Sequence, residues 1–340
     1  MTTSVSIPSL TSVKDKCFLV TGGAGFIGSH IVSYLLSNGA KEVRVLDNLS
    51  TGFKSNLKEF ETNSAFTFIE GDITNYQTCF LACQNIDGVF HNAALGSVSR
   101  SMQDPMSTNQ ANVSGFVNIL FAAKNQHVKR VVYASSSSVY GDDKSEEKQE
   151  HITGNLLSPY AVSKKTDELY ADVFARSYDM EIIGLRYFNV YGPKQNPNGA
   201  YAAVIPIFIT SILKNHAPSI FGDGFTSRDF TFINNVVYAN VLAYSTQNKE
   251  AVNQVYNVAF GASTSLNQLF DLIKKMPLAV EKRIKGKICV IPSGLKTDED
   301  LIHRVRVLRK QASKIGKELD DLFFKTNPEW AKFYGYIDKT

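Results

Sequence analysis

A tyrosine and a lysine lie one helical turn apart in the segment Tyr160-Ala-Val-Ser-Lys164. If this segment is helical, the two side chains project from the same helix face. The positive charge of a lysine stabilises a neighbouring phenolate, and a phenolate can accept a proton from a substrate hydroxyl. A run of serines at residues 135–138 follows an apolar segment upstream and could hydrogen-bond the same hydroxyl. This set of side chains predicts hydride transfer between an alcohol carbon and a nicotinamide.

The Tyr160–Lys164 pair taken alone is more typical of a solvated helix surface than of an active site. A glycine-rich segment near the start of the chain favours the catalytic interpretation. Thr21-Gly-Gly-Ala-Gly-Phe-Ile-Gly28 follows an apolar run, precedes a helical pattern and contains G-x-G-x-x-G. Glycines permit a tight turn and the close approach of a pyrophosphate, to which the next helix offers free N–H groups.

An acidic residue at the end of the next apolar run indicates which dinucleotide binds. Asp47 follows Gly28 by about 20 residues, the spacing of the carboxylate that accepts hydrogen bonds from ribose hydroxyls. The same carboxylate would repel a 2′-phosphate, and no arginine directly follows it. The sequence therefore predicts NAD rather than NADP as the cofactor.

Apolar runs alternate with helical patterns through the first half of the chain. Helical spacing occurs at residues 27–35, 112–124 and 160–177, and residues 189–201 are rich in glycine, proline and asparagine, which predicts a loop. Such alternation implies right-handed βαβ crossovers and a parallel sheet that is covered on both faces. The predicted strands are residues 17–21, 43–46, 66–69, 88–91, 130–134 and 182–185.

These patterns predict an α/β fold, a Rossmann-like doubly wound parallel sheet with a smaller C-terminal α/β lobe. The expected NAD-binding domain covers residues 1–188. The expected substrate lobe covers residues 189–340 and is partly interleaved with the first domain. The substrate is expected in the cleft between the two.

The composition argues against several other classes of protein. The 340 residues include 36 basic and 32 acidic side chains, a surplus too small to indicate nucleic-acid binding. Four cysteines without metal-ligand spacing or a histidine cluster predict neither a metal site nor disulfides. The opening residues lack the apolar core of a signal peptide, and no apolar run is long enough to span a bilayer. We expect a cytoplasmic protein with no nucleic-acid or membrane partner.

Taken together, the motifs resemble those of the extended short-chain dehydrogenase/reductases. Within that group the chain is most similar to the bacterial UDP-N-acetylglucosamine 4-epimerases of the UDP-glucose 4-epimerase-like family. The resemblance covers about residues 15–275. It is carried by residues 21–28, 46–48, 93–97, 136–142, 157–164, 169–174, 185–189, 197–206, 227–230 and 264–269.

The resemblance implies roles for individual residues. The implied catalytic triad is Ser136, Tyr160 and Lys164; Tyr160 and Lys164 also contact the cofactor, and Ser136 and Tyr160 also contact the substrate. The other implied NAD contacts are Gly22, Gly25, Phe26, Ile27, Gly28, Asp47, Asn48, Asp72, Ile73, Ala93 and Asn112. The other implied substrate contacts are Gly96, Ser97, Ser137, Asn189, Ala203, Val204 and Arg228. Apart from the resemblance, Asp72 is equally typical of a turn cap, Asn189 of a loop and Arg228 of a surface.

The reaction that the resemblance implies is 4-epimerisation of a UDP-sugar through a transient 4-keto sugar. Tyr160 takes the proton from the 4-hydroxyl, and the C4 hydride passes to NAD and returns to the other face of the sugar. Lys164 tunes Tyr160 and holds the nicotinamide ribose, and Ser136 orients the hydroxyl. Small or hydroxyl-bearing residues at Gly96-Ser97 and Ser137-Ser138 predict UDP-GlcNAc/UDP-GalNAc, or its uronic acid, as the substrate. The resemblance also implies a part in polysaccharide biosynthesis.

The resemblance further implies a homodimer. The helices that contain Asn112 and Tyr160 would pair across a two-fold axis. The candidate interface residues are Phe116, Leu120, Leu169 and Val173, although the alternative for each is a position facing the sheet.

Other functions remain open at this stage. Another NAD-dependent nucleotide-sugar enzyme, such as a dehydratase or reductase, would use the same scaffold, but the dehydratases carry an acidic pair where this chain has Ser137 and Ser138. A non-catalytic NAD-binding regulator is the second alternative, because the chain departs from the family pattern after about residue 275. Residues 285–300 lack the usual Arg-x-Gly-Asp segment, Ala262-Ser263 stands where many members have an arginine, and Arg304 and Arg306 do not align.

Overall fold

A computed structural model describes residues 12–197, 203–214, 216–220, 222–274, 282–284 and 287–289. The strands in chain order are β1 (Cys17–Thr21), β2 (Glu42–Asp47), β3 (Phe66–Glu70), β4 (Gly88–His91), β5 (Arg130–Ser136), β6 (Glu181–Tyr187), β7 (Val190–Tyr191), β8 (Ser227–Arg228), β9 (Thr231–Phe232), β10 (Val255–Val258), β11 (Thr264–Ser265), β12 (Lys282–Ile284) and β13 (Lys287–Cys289). The α-helices are α1 (Phe26–Ser37), α2 (Tyr76–Ala82), α3 (Val98–Gln103), α4 (Pro105–Asn109), α5 (Gly115–Asn125), α6 (Pro159–Tyr178), α7 (Val204–Leu213), α8 (Ile233–Ser245) and α9 (Leu266–Lys274).

These elements pack into two units. One lies within Met1–Phe188 and Ile233–Val258, and the other within Asn189–Phe232 and Ala259–Thr340. Assigning NAD binding to the first unit and substrate binding to the second stays a prediction at this point.

The first unit is built on a seven-stranded sheet with the order β10-β6-β5-β4-β1-β2-β3. Every neighbouring pair is parallel. The strand order reverses between β1 and β4, and such a reversal opens a crevice at the carboxyl ends of the two strands. The predicted strands and the doubly wound sheet are confirmed. The crevice is the place where the candidate site residues of this unit are expected.

Helices cover both faces of the sheet because side chains alternate between the faces along each strand. Leu19 of β1 belongs to a core that it shares with Phe116 and Leu120 of α5. Phe18, the preceding residue, instead contacts the ring of Tyr244 in α8, with 4.8 Å between the ring centroids. The two faces of β1 are therefore both buried, as the near-continuous apolar run in its sequence predicts.

Two of the four candidate interface residues were wrongly predicted. Phe116 and Leu120 are fully buried against the sheet and cannot contact a second chain. Leu169 and Val173 of α6 are 59% and 47% exposed. The helical spacing of α5 does not distinguish a face that packs on the sheet from one that packs on a partner, because both are apolar.

The helix predicted at residues 112–124 begins differently from the prediction. A π-helical turn, Gln110–Ser114, precedes α5 and follows α4 directly. A π-turn inserts one residue into the helical repeat and reorients the side chains around it. Nothing in the local sequence pattern indicates this turn. The long helix α6 begins where it is predicted to, because the Ser158 side chain accepts a hydrogen bond from Ala161 N at 3.1 Å and Pro159 occupies the first turn.

The second unit contains short paired strands and two helices among its described residues. β7 pairs in parallel with β9. β8 pairs antiparallel with β11, and β12 pairs antiparallel with β13. Helix α7 packs on α9 through the rings of Phe208 and Phe270, whose centroids are 5.6 Å apart. The predicted loop after residue 189 therefore contains a short strand, β7.

The divergent C-terminal segment is mostly beyond the described part of the chain. Of residues 285–300, only Lys287–Cys289 is described, and Arg304 and Arg306 fall outside. Among the described helices, none combines the length and apolar character needed to cross a bilayer.

Candidate active site

The turn between β1 and α1 brings the backbone unusually close to neighbouring strands. Gly22 has a φ of +68°, and a Cβ there would lie 2.7 Å from Ala93 N. A Cβ on Gly28 would collide with the Gly22 carbonyl oxygen. No side chain caps α1 at Gly25, so its first N–H groups remain free for an anion. These features fit the pyrophosphate of a dinucleotide.

Asp47 at the end of β2 joins this turn to the next strand. Its Oδ2 accepts from Ala24 N at 2.9 Å, and its Oδ1 accepts from Leu49 N at 2.8 Å. Burial raises the pKa of Asp47, although both backbone hydrogen bonds lower it. A carboxylate has about four lone-pair sites, so about two remain for ribose hydroxyls.

A cavity of about 310 Å³ lies in the first unit at the carboxyl ends of the strands. It contains several polar groups that belong to different strand ends. Asn48 Nδ2 donates to Asp72 Oδ2 at 2.7 Å and so links the end of β2 to the residue after β3. Burial raises the pKa of Asp72, but hydrogen bonds from Thr74 and Asn48 lower it overall. The predicted NAD contacts that line this cavity are Gly22, Gly25, Asp47, Asn48, Asp72, Ile73 and Ala93.

Several other residues that line this cavity were not predicted as cofactor contacts, and they come from strand ends, the loops after them and the helical segment at residues 105–114. Ser50 and Thr51 follow the end of β2. The feature of the sequence that could have indicated them is a pair of hydroxyl-bearing residues shortly after Asp47. The full additional set is Leu46, Ser50, Thr51, Gly71, Thr74, Asn92, Ala94, Leu95, Ser107, Gln110 and Ala111.

The remaining predicted cofactor residues, Phe26, Ile27, Gly28, Asn112, Tyr160 and Lys164, do not line that cavity. Asn112 is 1% exposed and its amide is used internally. Its Oδ1 accepts from Leu95 N at 2.7 Å, and its Nδ2 donates to Ser163 Oγ at 2.9 Å. In this geometry Asn112 ties the loop after β4 to helix α6, and its assignment as a cofactor contact stays a prediction.

The three predicted catalytic residues all belong to β5 and α6. Ser136 is the last residue of β5, and its Oγ accepts from Ser138 N at 3.1 Å. Tyr160 lies in the first turn of α6, where it is partly exposed. Lys164 is 2% exposed and its Nζ donates to Ala134 O at 2.9 Å. That hydrogen bond places the lysine beside the strand end that carries Ser136.

Two carboxylates that follow Lys164 on α6 were missed by the sequence reasoning. Asp167 Oδ2 accepts from Lys164 Nζ at 3.2 Å. Glu168 accepts two hydrogen bonds from Arg186 of β6, at 2.8 and 2.9 Å, and one from Ser135 Oγ at 2.7 Å. Burial raises the pKa of Glu168, but the Arg186 guanidinium lowers it overall. The feature of the sequence that could have indicated these two carboxylates is a pair of acidic residues in the middle of a helix face whose other residues are buried.

Four residues after β4 and β5 were predicted to contact substrate from the first unit, together with Tyr160. A Cβ on the exposed Gly96 would meet no atom within 4 Å. Ser97 caps α3, since its Oγ accepts from Arg100 N at 3.1 Å. Ser136 caps the 3-10 turn that contains Ser137. The buried Ser138 Oγ has no hydrogen-bond partner among the described residues.

The second unit contains a larger cavity of about 460 Å³. All four substrate contacts predicted for this unit line it, namely Asn189, Ala203, Val204 and Arg228. Asn189 Nδ2 donates to Asp229 O at 2.8 Å. Arg228 is exposed and donates to Ser227 O at 2.8 Å, and it forms no ion pair within the described ranges. Further lining residues are Val190, Tyr191, Gln195, Ile205, Ile207, Phe208, Ser219, Ile220, Thr226, Phe230 and Leu266.

Asp229, the neighbour of Arg228, organises the segment where many family members have an arginine. Its carboxylate accepts from the backbone N–H groups of Phe260, Gly261 and Ala262 at 2.9, 2.7 and 3.1 Å. Asp229 was not predicted as a site residue, and its role is to hold this loop.

The thiols and the potential metal-ligating side chains can be located among the described residues. Cys17, Cys79 and Cys83 are free thiols. Burial raises the pKa of both Cys79 and Cys83 to about 12, so neither is a thiolate at neutral pH. Across the described residues no cluster of His, Cys, Asp and Glu could hold a metal ion.

The sequence matches the NAD dependent epimerase/dehydratase family over residues 18–259. It is 39% identical over 257 residues to a UDP-glucose 4-epimerase of Mycolicibacterium smegmatis, covering 75% of this chain and 80% of that protein. The structure of UDP-N-acetylglucosamine 4-epimerase from Methanobrevibacter ruminantium, in complex with UDP-N-acetylmuramic acid, is 37% identical with a TM-score of 0.74, covering 90% of this chain and 99% of that one. The structure of UDP-glucuronic acid 4-epimerase from Bacillus cereus, in complex with UDP-glucuronic acid and NAD, is 32% identical with a TM-score of 0.72, covering 81% and 87%. The chain therefore belongs to the NAD dependent epimerase/dehydratase family.

Proposed function

We propose that this protein is an NAD-dependent UDP-sugar 4-epimerase that interconverts UDP-GlcNAc and UDP-GalNAc or the corresponding uronic acids, as precursors for polysaccharide biosynthesis. The observation that carries the proposal is the placement of Lys164. Its buried ammonium donates to Ala134 O, and Ala134 lies in β5 two residues before Ser136. Lys164 itself lies one helical turn after Tyr160. A buried ammonium at that place favours a phenolate and serves alcohol oxidation chemistry.

Each candidate site residue of the first unit that is described below has a definite task in the proposed reaction. NAD, when bound, supplies the hydride acceptor and donor, so that C4 of the sugar is oxidised to a ketone and reduced again from its other face. The glycine turn and the α1 N-terminus bind the pyrophosphate, and Asp47 binds ribose hydroxyls. Tyr160 Oη takes the proton of the 4-hydroxyl and later returns it, while Ser136 orients that hydroxyl. Lys164 holds the positive charge that stabilises the phenolate.

Free hydroxyls beside Ser136 support an N-acetylated substrate. Ser138 Oγ is buried without a partner, and Ser137 makes no side-chain hydrogen bond in the described structure. A buried hydroxyl without a partner is costly, and an acetamido group would supply both a donor and an acceptor. The absence of an acidic pair at these two positions disfavours a 4,6-dehydratase. The relatives act on or bind sugars that differ, so the sugar is part of the proposal.

Tyr160→Phe is expected to lower kcat by about a hundredfold to ten-thousandfold, because the ring still packs but the proton acceptor is lost. NAD binding, measured by calorimetry, should change little. Tyr170→Phe is the matched control, since Tyr170 lies on the same helix and packs on Phe174 away from the proposed site. Turnover of Tyr160→Phe close to that of the control would show that another group is the base.

The wild-type protein is expected to bind NAD more tightly than NADP, and Asp47→Ala should reduce this preference by about tenfold because the repulsion of a 2′-phosphate is lost. Asp87→Ala is the control, because Asp87 also accepts from a backbone N–H, that of Cys17 at 2.8 Å, but lies outside the cavity. Calorimetry with both cofactors gives the answer. Equal affinity of the wild type for NAD and NADP would rule the assignment out.

Kinetics on four substrates test the sugar and the nucleotide anchor together. We expect a higher kcat/KM for UDP-GlcNAc and UDP-GalNAc than for UDP-Glc and UDP-Gal. Arg228→Ala should raise KM by about one to two decades, since a charge-assisted phosphate contact contributes roughly 1.5–3 kcal/mol. Arg176→Ala is the control, an exposed arginine that pairs with Asp172, and Arg304→Ala tests whether a second arginine contributes. A preference for UDP-Glc would remove the N-acetyl assignment, and an unchanged KM of Arg228→Ala would remove the anchor.

We also infer a homodimer that forms through α6. Leu169 and Val173 lie one helical turn apart and are both largely exposed, together with Val162 at 48%. Such a row of apolar side chains is typical of a covered helix face. Light scattering at micromolar concentration should give the dimer mass for the wild type and a lower mass for Leu169→Glu/Val173→Glu. Leu81→Glu, at an exposed apolar position of α2, is the control. A monomeric wild type would refute the dimer.

A further inference from the structure

The ammonium of Lys164 has two partners inside the protein. Its Nζ donates to Ala134 O at 2.9 Å and to Asp167 Oδ2 at 3.2 Å. The two side chains are buried, with 3% and 1% of their surface exposed. An ammonium has three N–H donors, so one donor remains for the phenolate or for a bound ribose. The orientation of that third donor depends on the other two bonds.

Asp167 is itself only partly satisfied by its surroundings. Its Oδ1 is buried and accepts no hydrogen bond in the described structure. A buried carboxylate oxygen without a partner costs free energy, and the paired Lys164 is the group that offsets it. Lys164 is therefore the group to which this carboxylate is matched, since its Oδ2 accepts from Lys164 Nζ and its Oδ1 has no partner among the described residues.

The charged and titratable groups around Asp167 come from several elements. Lys164 and Glu168 face it from its own helix. Tyr133 of β5 is within its electrostatic reach, His91 of β4 is within that of Lys164, and Arg186 of β6 is engaged with Glu168. Burial raises the pKa of Asp167, and Glu168 adds to the rise, whereas the adjacent Lys164 ammonium lowers it and so favours the charged form. Burial also lowers the pKa of His91 to about 3, so that histidine stays neutral.

We propose that Asp167 is a positioning residue, which orients the Lys164 ammonium and limits how strongly that ammonium stabilises the Tyr160 phenolate. The inference rests on the proposed function. A negative charge beside Lys164 offsets part of the positive field at Tyr160. Removing that charge while keeping the hydrogen bond makes the phenolate form at lower pH. Removing the hydrogen bond as well leaves one donor of a buried ammonium unpaired and its orientation free.

Two substitutions separate the charge from the hydrogen bond. D167N keeps an acceptor oxygen for Lys164 Nζ and loses the charge, whereas D167L loses both. In D167N the acidic limb of the kcat–pH profile should move to lower pH by at least about half a unit, which is about threefold in rate on that limb. In D167L kcat should fall by about tenfold or more, with little change in the KM for the sugar nucleotide.

Asp172→Asn is the matched control. Asp172 lies farther along the same helix with an exposed carboxylate that pairs with Arg176 at 2.7 Å, so its profile should keep the wild-type limb. A purely structural role of Asp167 would lower thermal stability or kcat without moving the limb. An acidic limb of D167N that coincides with that of the wild type would overturn the proposal.

A second readout does not depend on turnover. The tyrosinate absorbance of Tyr160, obtained by subtracting titrations of the matching Tyr160→Phe proteins, should develop at lower pH in D167N than in the wild type. A wild-type protein without epimerase turnover would defeat the proposed function, and this spectral shift would still decide the role of Asp167. Coincident spectral titrations of D167N and the wild type would overturn that role.

Discussion

The buried ion pair between Arg186 and Glu168 fixes the position of helix α6 against β6. Arg186 is 1% exposed, and its two hydrogen bonds to Glu168 join the centre of α6 to β6. The same carboxylate accepts from Ser135, so the end of β5 is fixed to both elements. Loss of one partner would leave the other charge buried and unpaired, which typically costs about 3–5 kcal/mol. Because Tyr160 and Lys164 lie on this helix and Ser136 follows Ser135, the spacing of the proposed catalytic set depends on this interaction.

A second constraint applies at the other end of the crevice, where the backbone and not a side chain carries the geometry. Gly22 and Gly28 permit close contacts of the turn with the segment after β4 and with α1 that any Cβ would prevent. Asp47 then fixes the same turn to the β2 end through Ala24 N and Leu49 N. The carboxylate that is proposed to select the ribose is thus also a structural link, and it is rigid before a ligand arrives. Such preorganisation lowers the free energy that binding must spend on ordering the site.

The parts of the fold that the sequence predicts are those determined by local pattern. Apolar runs bounded by turns located the strands, and helical spacing located α6, whose start is determined locally by Ser158 and Pro159. The parts that were missed depend on partners distant in sequence. Glu168 was missed because its partner Arg186 is on another element, and Phe116 was assigned to an interface because an apolar face has the same spacing against a sheet or a second chain. The hydrogen bonds of Asn112 to Leu95 and Ser163 likewise join elements that are distant in sequence, and no local pattern indicated them.

The proposed assignment of the sugar to the first unit and of the nucleotide to the second suits a reaction in which the sugar ring must rotate. A 4-keto sugar has to present both faces to the same hydride donor, so tight contacts to the reacting ring would slow the step. The polar groups of the first unit that are proposed to touch the sugar are few and short, mainly serine hydroxyls. The exposed guanidinium of Arg228 and an apolar-lined cavity belong to the second unit, which is proposed to hold the nucleotide. Contacts to the nucleotide, which is remote from C4, retain the 4-keto sugar without restricting its ring. Such remote contacts favour turnover, whereas uniformly tight binding of the sugar would not.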